Sequence, residues 1–499
     1  MQPARRTTTT ERRPSRHASR SAWLAFAAGL ALAASPACHR PRREAPAPVE
    51  ATSSRVDVFL RCTDAAAREL GFSVAAVELV DEGGSSRALA ASRRQILAAD
   101  AARRLPLAGS IVPPARYVKL RVTLDGAWLG RGDGRQALEL ESTDPAVEDV
   151  LTETTRSYEL RLDLRLRERD AASIFIDWQA ADSLRGGAGF APSFTTSLER
   201  PQTTLGMLFV ADAGSGSVLT LDRSTGQIVG TCKAGSEPSA LALARDRRRL
   251  CVANAGDGSL SIVDVRQGHI ETSFAIGFSA GTSDVVLADL DRFVAAANPA
   301  LDSVTFATLA PGGTTQNVAV GRSPTRLAAA PSLARLYVCE SGGDSVSVID
   351  TNSRSVVTTV SVESQPSDVE IDRDELELFV GHRTSPNLLV LDARSLAVTS
   401  TLFIGGDVTD VLADPQRSRI YVARSRPAEV LVVERRLGSI VRRIPVSGRI
   451  QALALTLEGS RLYGVVPEKG TLLSIDLVLG KEEAAIPCGS RPMDVVIAE

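Results

Sequence analysis

The chain of 499 residues carries 57 Lys and Arg against 59 Asp and Glu, and 44% of its residues are hydrophobic. This length and composition suffice for two domains with cores of their own. A net charge of −2 gives no electrostatic basis for a nucleic-acid partner. A total of four histidines argues against a histidine-based metal site, so we predict neither a metal nor a bound cofactor.

Residues 1–38 are typical of an export signal. Arginines precede an apolar stretch, 22–34, that is shorter than the ~20 residues needed to span a bilayer. The run that ends at Cys38 resembles a bacterial lipobox, which implies lipidation of Cys38 and a membrane partner through that lipid anchor. The expected location is the cell envelope, as an outer-membrane lipoprotein facing the periplasm or the surface. The alternative is ordinary cleavage that leaves a free thiol. A Pro- and Ala-rich flexible tether, 39–55, follows.

Residues 56–185 contain runs in which hydrophobic and polar residues alternate, and 158–166 is the clearest. Such runs predict at least five half-buried strands and therefore a β-sandwich. The strand at 113–121 and the later strand at 172–178 resemble those of bacterial domain-of-unknown-function family 4382. This resemblance implies a carbohydrate-binding-like sandwich on an exported protein, with no known ligand. The alternative is a packing module or spacer. Gly, Ser, Thr and Pro then predict a linker over 186–204.

From residue 205 to 499, an aromatic residue followed by a small or β-branched residue recurs about every 42 positions (463 − 421 = 42). The slots are Phe209, Cys251 in place of an aromatic, Phe293, Tyr337, Phe379, Tyr421 and Tyr463. Such a period is typical of a β-propeller with one four-stranded blade per repeat. The run 335–350 resembles the YVTN-type propeller repeat, and the same pattern covers the whole region.

The strand runs also predict how the propeller closes. The region begins with a second-strand run at Leu208 and ends with an innermost-strand run at 492–498. We therefore predict an all-β chain in which the β-sandwich is followed by seven blades. The first blade would take three strands from 206–233 and its innermost strand from 492–498, which leaves no open edge between the first and last blades.

Two sets of positions are predicted to share one face of the propeller. Three residues after each slot lie Asp212, Asn254, Ala296, Glu340, His382, Arg424 and Val466. Third in each innermost strand lie Ala240, Asp284, Arg326, Asp368, Asp410, Ala452 and Asp494. Within these sets Glu340, His382, Arg424, Asp368 and Asp410 are predicted to converge on a polar ligand pocket. The alternative is that the Asp side chains cap turns or accept adjacent backbone N–H groups.

No nucleophile elbow, HExxH, P-loop or EF-hand loop occurs in the sequence, so no catalytic residue is predicted. The sequence favours a membrane-tethered extracytoplasmic binding or scaffold protein with a protein or glycan ligand. An enzyme is the alternative, because related propellers resemble lactonases and haem- or quinone-linked periplasmic oxidoreductases. In a lactonase, His382 would act as the general base.

Overall fold

A computed structural model describes residues 53–64, 67–102, 104–130, 134–142, 155–168, 170–186, 188–198, 205–276, 281–309 and 313–499. The predicted export signal with Cys38, and the predicted tether up to residue 52, lie outside these ranges. Over the described residues the fold is all-β, with an N-terminal sheet followed by a seven-bladed propeller. No helix in these ranges has the length and hydrophobicity needed to cross a bilayer.

The N-terminal part is one hydrogen-bonded sheet of twelve strands. They are β1 (Ser54–Cys62), β2 (Leu70–Asp81), β3 (Ser86–Ala91), β4 (Gln95–Leu97), β5 (Leu105–Val112), β6 (Arg116–Leu129), β7 (Gln136–Leu140), β8 (Arg156–Arg165), β9 (Ala171–Trp178), β10 (Leu184–Arg185), β11 (Gly189–Phe190) and β12 (Phe194–Ser197). The main path is β10-β11-β7-β6-β2-β3-β5-β1-β9-β12, while β4 pairs with β2 and β8 pairs with β6. The sheet folds over a single core, in a sandwich-like half-barrel.

Aromatic rings fill one part of this core. Phe72 lies against Trp178 and Phe194, with ring centroids 4.7 and 5.7 Å apart, and Phe190 packs beside them. The indole N–H of Trp178 donates to the Ser183 hydroxyl at 3.0 Å, so burial leaves that polar group satisfied. Phe190 and Phe194 come from the segment predicted as a linker. Strands β11 and β12 therefore place residues 189–197 within the N-terminal sheet.

The propeller follows, and its strands are named in chain order. Blade 1 takes β13 (Met207–Asp212), β14 (Ser217–Asp222) and β15 (Gln227–Lys233); blade 2 takes β16 (Pro238–Leu243), β17 (Arg249–Asn254), β18 (Ser259–Asp264) and β19 (His269–Ala275). Blade 3 takes β20 (Asp284–Ala288), β21 (Phe293–Asn298), β22 (Ser303–Thr308) and β23 (Thr315–Ala319); blade 4 takes β24 (Pro324–Ala330), β25 (Arg335–Glu340), β26 (Ser345–Asp350) and β27 (Ser355–Ser361).

The remaining blades repeat the same four-stranded pattern. Blade 5 takes β28 (Pro366–Ile371), β29 (Glu377–His382), β30 (Asn387–Asp392) and β31 (Val398–Phe403); blade 6 takes β32 (Val408–Ala413), β33 (Arg419–Ser425), β34 (Ala428–Glu434) and β35 (Ser439–Pro445). Blade 7 takes β36 (Ala452–Leu455), β37 (Arg461–Val466), β38 (Thr471–Asp476) and β39 (Lys481–Pro487), and the chain ends with β40 (Pro492–Ala498). Short 3₁₀ turns lie at Asp100–Ala102, Ala181–Ser183, Pro299–Leu301, Pro331–Leu333 and Pro467–Lys469.

The last strand joins the first blade. Strand β40 pairs antiparallel with β13, from Met207 opposite Ala498 to Asp212 opposite Pro492. The sheet order of blade 1 is therefore β15-β14-β13-β40, with the C-terminal strand innermost. Neighbouring blades pack face to face, and their buried side chains form apolar clusters between successive blades.

The register of blade 3 differs from the sequence prediction. Asp284 pairs with Ala297, as Arg326 pairs with Cys339 and Asp368 with Gly381. Counting two residues back from each partner, Ala295 in blade 3 is equivalent to Tyr337 and Phe379. The aromatic slot was therefore wrongly assigned to Phe293, which lies two residues earlier in the same strand. In blade 3 the buried side chains of Phe293 and Phe306 fill the volume that the slot aromatic fills in other blades.

The N-terminal sheet packs on the outermost strand of blade 1. Phe59 and Phe175 share an apolar cluster with Ile228 of β15. Ser173 and Thr231 hydroxyls are 3.0 Å apart, and Lys233 Nζ donates to the Ser53 carbonyl at 2.7 Å. This packing covers an edge strand that would otherwise be exposed for pairing with another chain.

Candidate functional site

The third residues of the innermost strands lie around the central channel, near the face where those strands begin. Four of them are carboxylates (Asp284, Asp368, Asp410 and Asp494), and the fifth polar member is Arg326. The Arg326 guanidinium lies 3.8 Å from Asp284, 3.8 Å from Asp368 and 3.4 Å from Asp410. Its NH2 group also donates to the Gln451 carbonyl of blade 7 at 3.3 Å. One side chain from blade 4 therefore crosses the channel and contacts blades 3, 5, 6 and 7.

Each of these four carboxylates also joins its own blade to the next one. The N–H of Leu327 donates to Asp284 at 2.8 Å, and the N–H of Leu453 donates to Asp410 at 2.8 Å. Asp494 accepts the Leu241 N–H at 2.7 Å, which links the closing strand β40 to blade 2. Asp368 accepts the N–H of Val411 in the same way. Here the structure agrees with the alternative interpretation of the Asp residues, in which they accept backbone N–H groups.

The ionisation of this channel cluster is shifted by burial. Removal from water raises the pKa of Asp284 to about 7, against the attraction of Arg326. Glu370 lies two residues after Asp368 in β28 and accepts the N–H of Ala413 at 3.3 Å. Desolvation, together with the charge of Asp368, raises its pKa to about 8. Desolvation also raises the pKa values of Asp368, Asp410 and Asp494. The cluster therefore holds protons near neutral pH, and Arg326 is the cation that stabilises its ionised members.

Glu340 and Arg424, two of the predicted site residues, lie at the ends of second strands and are buried within their blades. Glu340 accepts the N–H of Gly321 at 2.7 Å and the hydroxyl of Ser345. Arg424 donates to the carbonyls of Gly405 and Gly406 at 2.8 Å, and to Glu429 at 2.8 Å. Gly321, Gly405 and Gly406 belong to the loops that join one blade to the next, so these two side chains hold those loops in place.

His382 occupies the corresponding position in blade 5 and is 0% exposed. Its Nδ1 lies 3.0 Å from the Asn387 carbonyl, while Nε2 has no hydrogen-bond partner among the described residues. Burial lowers the pKa of the imidazole, which favours its neutral form. The five predicted residues thus fall into two groups. Asp368 and Asp410 meet at Arg326, and no hydrogen bond or ion pair within the described residues joins them to Glu340, His382 or Arg424.

In blades 1 and 2 the side chains at the position equivalent to Glu340 and Arg424 also bond to inter-blade loops. Asp212 accepts the N–H of Arg491 at 2.7 Å, and Asn254 accepts the N–H of Gly235 at 2.9 Å. In blade 3 the equivalent residue is Asn298, not Ala296 as predicted, because of the register difference at β21. The side chains differ in charge, yet those of Asp212, Asn254, Glu340 and Arg424 all bond to the backbone of an inter-blade loop. One structural role, the support of an inter-blade loop, is therefore shared by these four positions despite their different side chains.

Sequence reasoning missed a polar cleft on the opposite face, between blades 5 and 6. This blade 5–6 cleft has a volume of about 350 Å³ and is lined from within 372–377, 414–418 and 435–436. Arg435 forms ion pairs with Asp372, at 2.9 Å, and with Glu377. Its guanidinium also lies 5.3 Å from the centre of the Phe379 ring. The signal in the sequence was the pair Arg435-Arg436, because the corresponding turns of the other blades carry at most one arginine.

Within the described ranges, no group of three or more His, Cys, Asp or Glu side chains is arranged to hold a metal ion. The channel carboxylates are instead grouped around a guanidinium. The five cysteines in these ranges are buried free thiols, and burial raises the pKa values of Cys251, Cys339 and Cys488, which keeps them protonated.

No family model matches the chain, and no curated protein matches it. A functionally unknown protein from Desulfotomaculum acetoxidans is structurally similar, at 12% identity and a TM-score of 0.52, covering 59% of this chain and 99% of that one. A Bacteroides fragilis protein provisionally assigned as a 6-phosphogluconolactonase matches at 15% identity and a TM-score of 0.50, covering 60% and 100%. Hydrazine synthase of Kuenenia stuttgartiensis matches at 20% and 0.48, covering 52% and 89%. At these identities, the first two similarities show the fold alone.

Proposed function

We propose that this chain is a binding protein of the cell envelope, tethered to a membrane by a lipid on Cys38, whose propeller holds a protein or carbohydrate ligand. The observation that carries the proposal is the blade 5–6 cleft, a preformed polar cavity of about 350 Å³ on a rigid scaffold. The resemblance of the repeats to the YVTN type, and of the N-terminal sheet to an exported domain family, supports the same placement.

The structure of the channel favours a ligand site outside the channel. Arg326 fills the channel at the level of the aspartates, and its side chain is 16% exposed. The aspartates accept backbone N–H groups of the adjacent blades, so a ligand at this level would have to displace existing bonds. These aspartates make the ring of blades rigid, and a rigid ring holds the loops on both faces in fixed positions.

The alternative function, lactone hydrolysis with His382 as general base, receives little support from the geometry. A general base must come within hydrogen-bonding reach of the substrate, directly or through one water. His382 is 0% exposed and its Nδ1 faces the Asn387 carbonyl. Assays of lactone hydrolysis with the wild type and His382→Ala test this alternative. Turnover that disappears in the variant would establish it against the binding proposal.

Two experiments test the proposed function. Palmitate labelling of cells that produce the wild type or Cys38→Ala should label only the wild type, and only the wild type should fractionate with membranes. Binding of the full chain, purified in detergent, to an array of defined neutral and acidic glycans should give saturable signals. An unlabelled wild type would overturn the anchor, and an array without any saturable signal would overturn carbohydrate binding.

A further inference from the structure

Blade 6 departs from the repeat at the turn after its third strand. In blades 1, 2, 4, 5 and 7 an aspartate ends this strand, and its carboxylate accepts the N–H groups that follow, as Asp350 accepts those of Asn352 and Ser353 at 3.0 and 2.7 Å. Blade 6 has Glu434 there, 3.7 Å from Arg419 on the neighbouring strand. Two consecutive arginines follow, Arg435 and Arg436, where the corresponding turns of the other blades carry at most one, and both line the blade 5–6 cleft. A repeat is expected to break its own pattern where a local function demands it.

Most charges inside the cleft are already neutralised by their neighbours. Arg435 is paired with Asp372 and Glu377. The carboxylate of Asp372 also accepts the N–H groups of Leu376 and Glu377, at 2.8 and 3.0 Å. Asp414 accepts the N–H of Gln416 and the hydroxyl of Tyr421, at 2.9 and 3.1 Å. The buried acids of the cleft therefore already accept hydrogen bonds from the turns that line it, and the ion pairs of Arg435 hold one side of the cleft in place.

Two arginines at the rim retain unused donors. Arg436 is exposed and has no hydrogen bond or ion pair among the described residues. Arg373 is exposed and donates one bond, from NH1 to the Pro415 carbonyl at 3.4 Å. A guanidinium presents a planar fork of N–H donors that matches the two oxygens of a carboxylate or phosphate. The exposed Asp374 lies in the same cleft as an acceptor suited to hydroxyl groups.

We infer that the blade 5–6 cleft binds a small sugar that carries an oxyanion, with Arg436 and Arg373 holding the anion and Asp374 accepting hydroxyl groups. This inference rests on the proposed binding function and specifies its site and ligand class. The volume suits one or two sugar rings, since small-molecule sites begin at roughly 300 Å³. The chemistry is shared by sugar carboxylates and sugar phosphates, and both are therefore included as probes.

Titration calorimetry of the full chain with D-glucuronate, glucose 6-phosphate, glucose and inorganic phosphate tests the inference. At least one anionic sugar should bind, and more tightly than glucose. The anionic sugar that binds more tightly, D-glucuronate or glucose 6-phosphate, identifies the preferred anion. Inorganic phosphate that binds as tightly as glucose 6-phosphate would show that the sugar ring contributes nothing to the affinity. Absence of binding by both anionic sugars would overturn the inference.

Variants locate the site. Arg373→Ala/Arg436→Ala should weaken binding of the anionic sugar at least about tenfold, a loss of roughly 1.4 kcal/mol. Arg394→Ala is the matched control, because Arg394 occupies the equivalent turn position of blade 5 and does not line the cleft. Arg373→Lys/Arg436→Lys keeps the charge but loses the fork, and should bind with intermediate affinity. Unaltered binding by the alanine variant, or equal loss in Arg394→Ala, would contradict the site.

Failure of this inference can be separated from failure of the proposed function. Saturable glycan-array signals that persist in Arg373→Ala/Arg436→Ala would keep the protein a carbohydrate-binding protein and remove the cleft as its site. Silence of both the array and the calorimetry, for a wild type whose thermal unfolding is cooperative, would remove the cleft inference together with the carbohydrate ligand of the proposed function.

Discussion

At the scale of single residues, Arg326 and the channel aspartates combine two roles. Each aspartate links adjacent blades through a backbone N–H. Three of them, Asp284, Asp368 and Asp410, also lie within 3.8 Å of the Arg326 guanidinium. The sequence predicted the position of these residues, because the third place of each innermost strand could be counted along the repeat. It did not predict that Arg326 crosses the channel, since that reach depends on the distance between blades that are remote in sequence.

Replacement of Arg326 tests the cation's role. Arg326→Leu should lower the free energy of unfolding by about 3 kcal/mol or more at about pH 8, because breaking a buried ion pair leaves uncompensated carboxylates. The loss should be smaller at about pH 5, where the carboxyls can hold protons. Chemical denaturation of the full chain measures both values. Arg394→Leu is the control on the surface, and a pH-independent loss would contradict the role.

The channel acids also predict how stability varies with pH. The pKa values of Asp284 and Glu370 are raised to about 7 and about 8 in the folded state, above their ordinary values near 4 in the unfolded chain. The folded state therefore holds more protons, and this contribution to stability is complete below about pH 4 and is lost as the pH rises through about 7 to 8. The charged groups that act on Asp284 are Arg326, Asp368 and Asp494, and those that act on Glu370 are Asp368 and Asp284.

Thermal unfolding between about pH 5 and pH 8.5 measures this dependence, and the melting temperature should fall across that range. Asp284→Asn/Glu370→Gln should flatten the fall, because neither replacement titrates. Carboxylates whose pKa values are lowered, such as Asp222 and Asp264, act in the opposite sense at pH values below about 4 and leave this window unaffected. A melting temperature that rises through neutrality would contradict the assigned shifts.

At the scale of elements, the repeat predicted the strand content and the closing strand, and it failed where the chain inserts residues. The step between innermost strands is 284 − 240 = 44 from blade 2 to blade 3, against 326 − 284 = 42 from blade 3 to blade 4. Two extra residues therefore lie before Asp284, and Phe293 imitates the aromatic slot two places early. Hydrophobic pattern alone could not distinguish Phe293 from Ala295, because both are buried on the same face of one strand.

Removal of the closing strand tests the ring. Deleting residues 492–499 leaves β13 without its inner partner and removes the bond from Leu241 to Asp494. The melting temperature of the full chain should fall by about 10 °C or more, and the exposed edge should promote aggregation. A Gly-Ser extension after Glu499, which retains β40, is the control. Equal melting of the truncated and extended chains would exclude closure as a source of stability.

At the scale of the whole molecule, the N-terminal sheet and the propeller share a buried contact that the sequence did not predict. Residues 186–204 suggested a linker from their composition, but part of this segment lies in β11 and β12. Arg104 donates to the Ile228 carbonyl at 3.0 Å, and its guanidinium lies 4.1 Å from the centre of the Phe175 ring. Phe175 shares an apolar cluster with the side chain of Ile228, so both parts of the chain contribute to the contact. Composition could identify polar, small residues there, but it could not reveal their long-range strand partners.

This contact predicts cooperative unfolding of the two parts. In the full chain, near-ultraviolet circular dichroism and tryptophan fluorescence should report one transition, since Trp128 and Trp178 lie in the N-terminal sheet and the buried tyrosines Tyr337, Tyr421 and Tyr463 lie in the propeller. Phe175→Asp should separate the transitions by placing an unpaired charge in the contact. Ile111→Asp, at an exposed position of the same sheet, is the control. Two transitions in the wild type would contradict the shared contact.

In the proposed division of roles, the blade 5–6 cleft binds an oxyanion-bearing sugar, while the channel residues maintain the ring. One comparison addresses both roles: calorimetric binding of the anionic sugar to the wild type, to Arg373→Ala/Arg436→Ala and to Asp284→Asn/Glu370→Gln. Binding should be lost in the cleft variant and retained in the channel variant. Binding lost in the channel variant and retained in the cleft variant would contradict it.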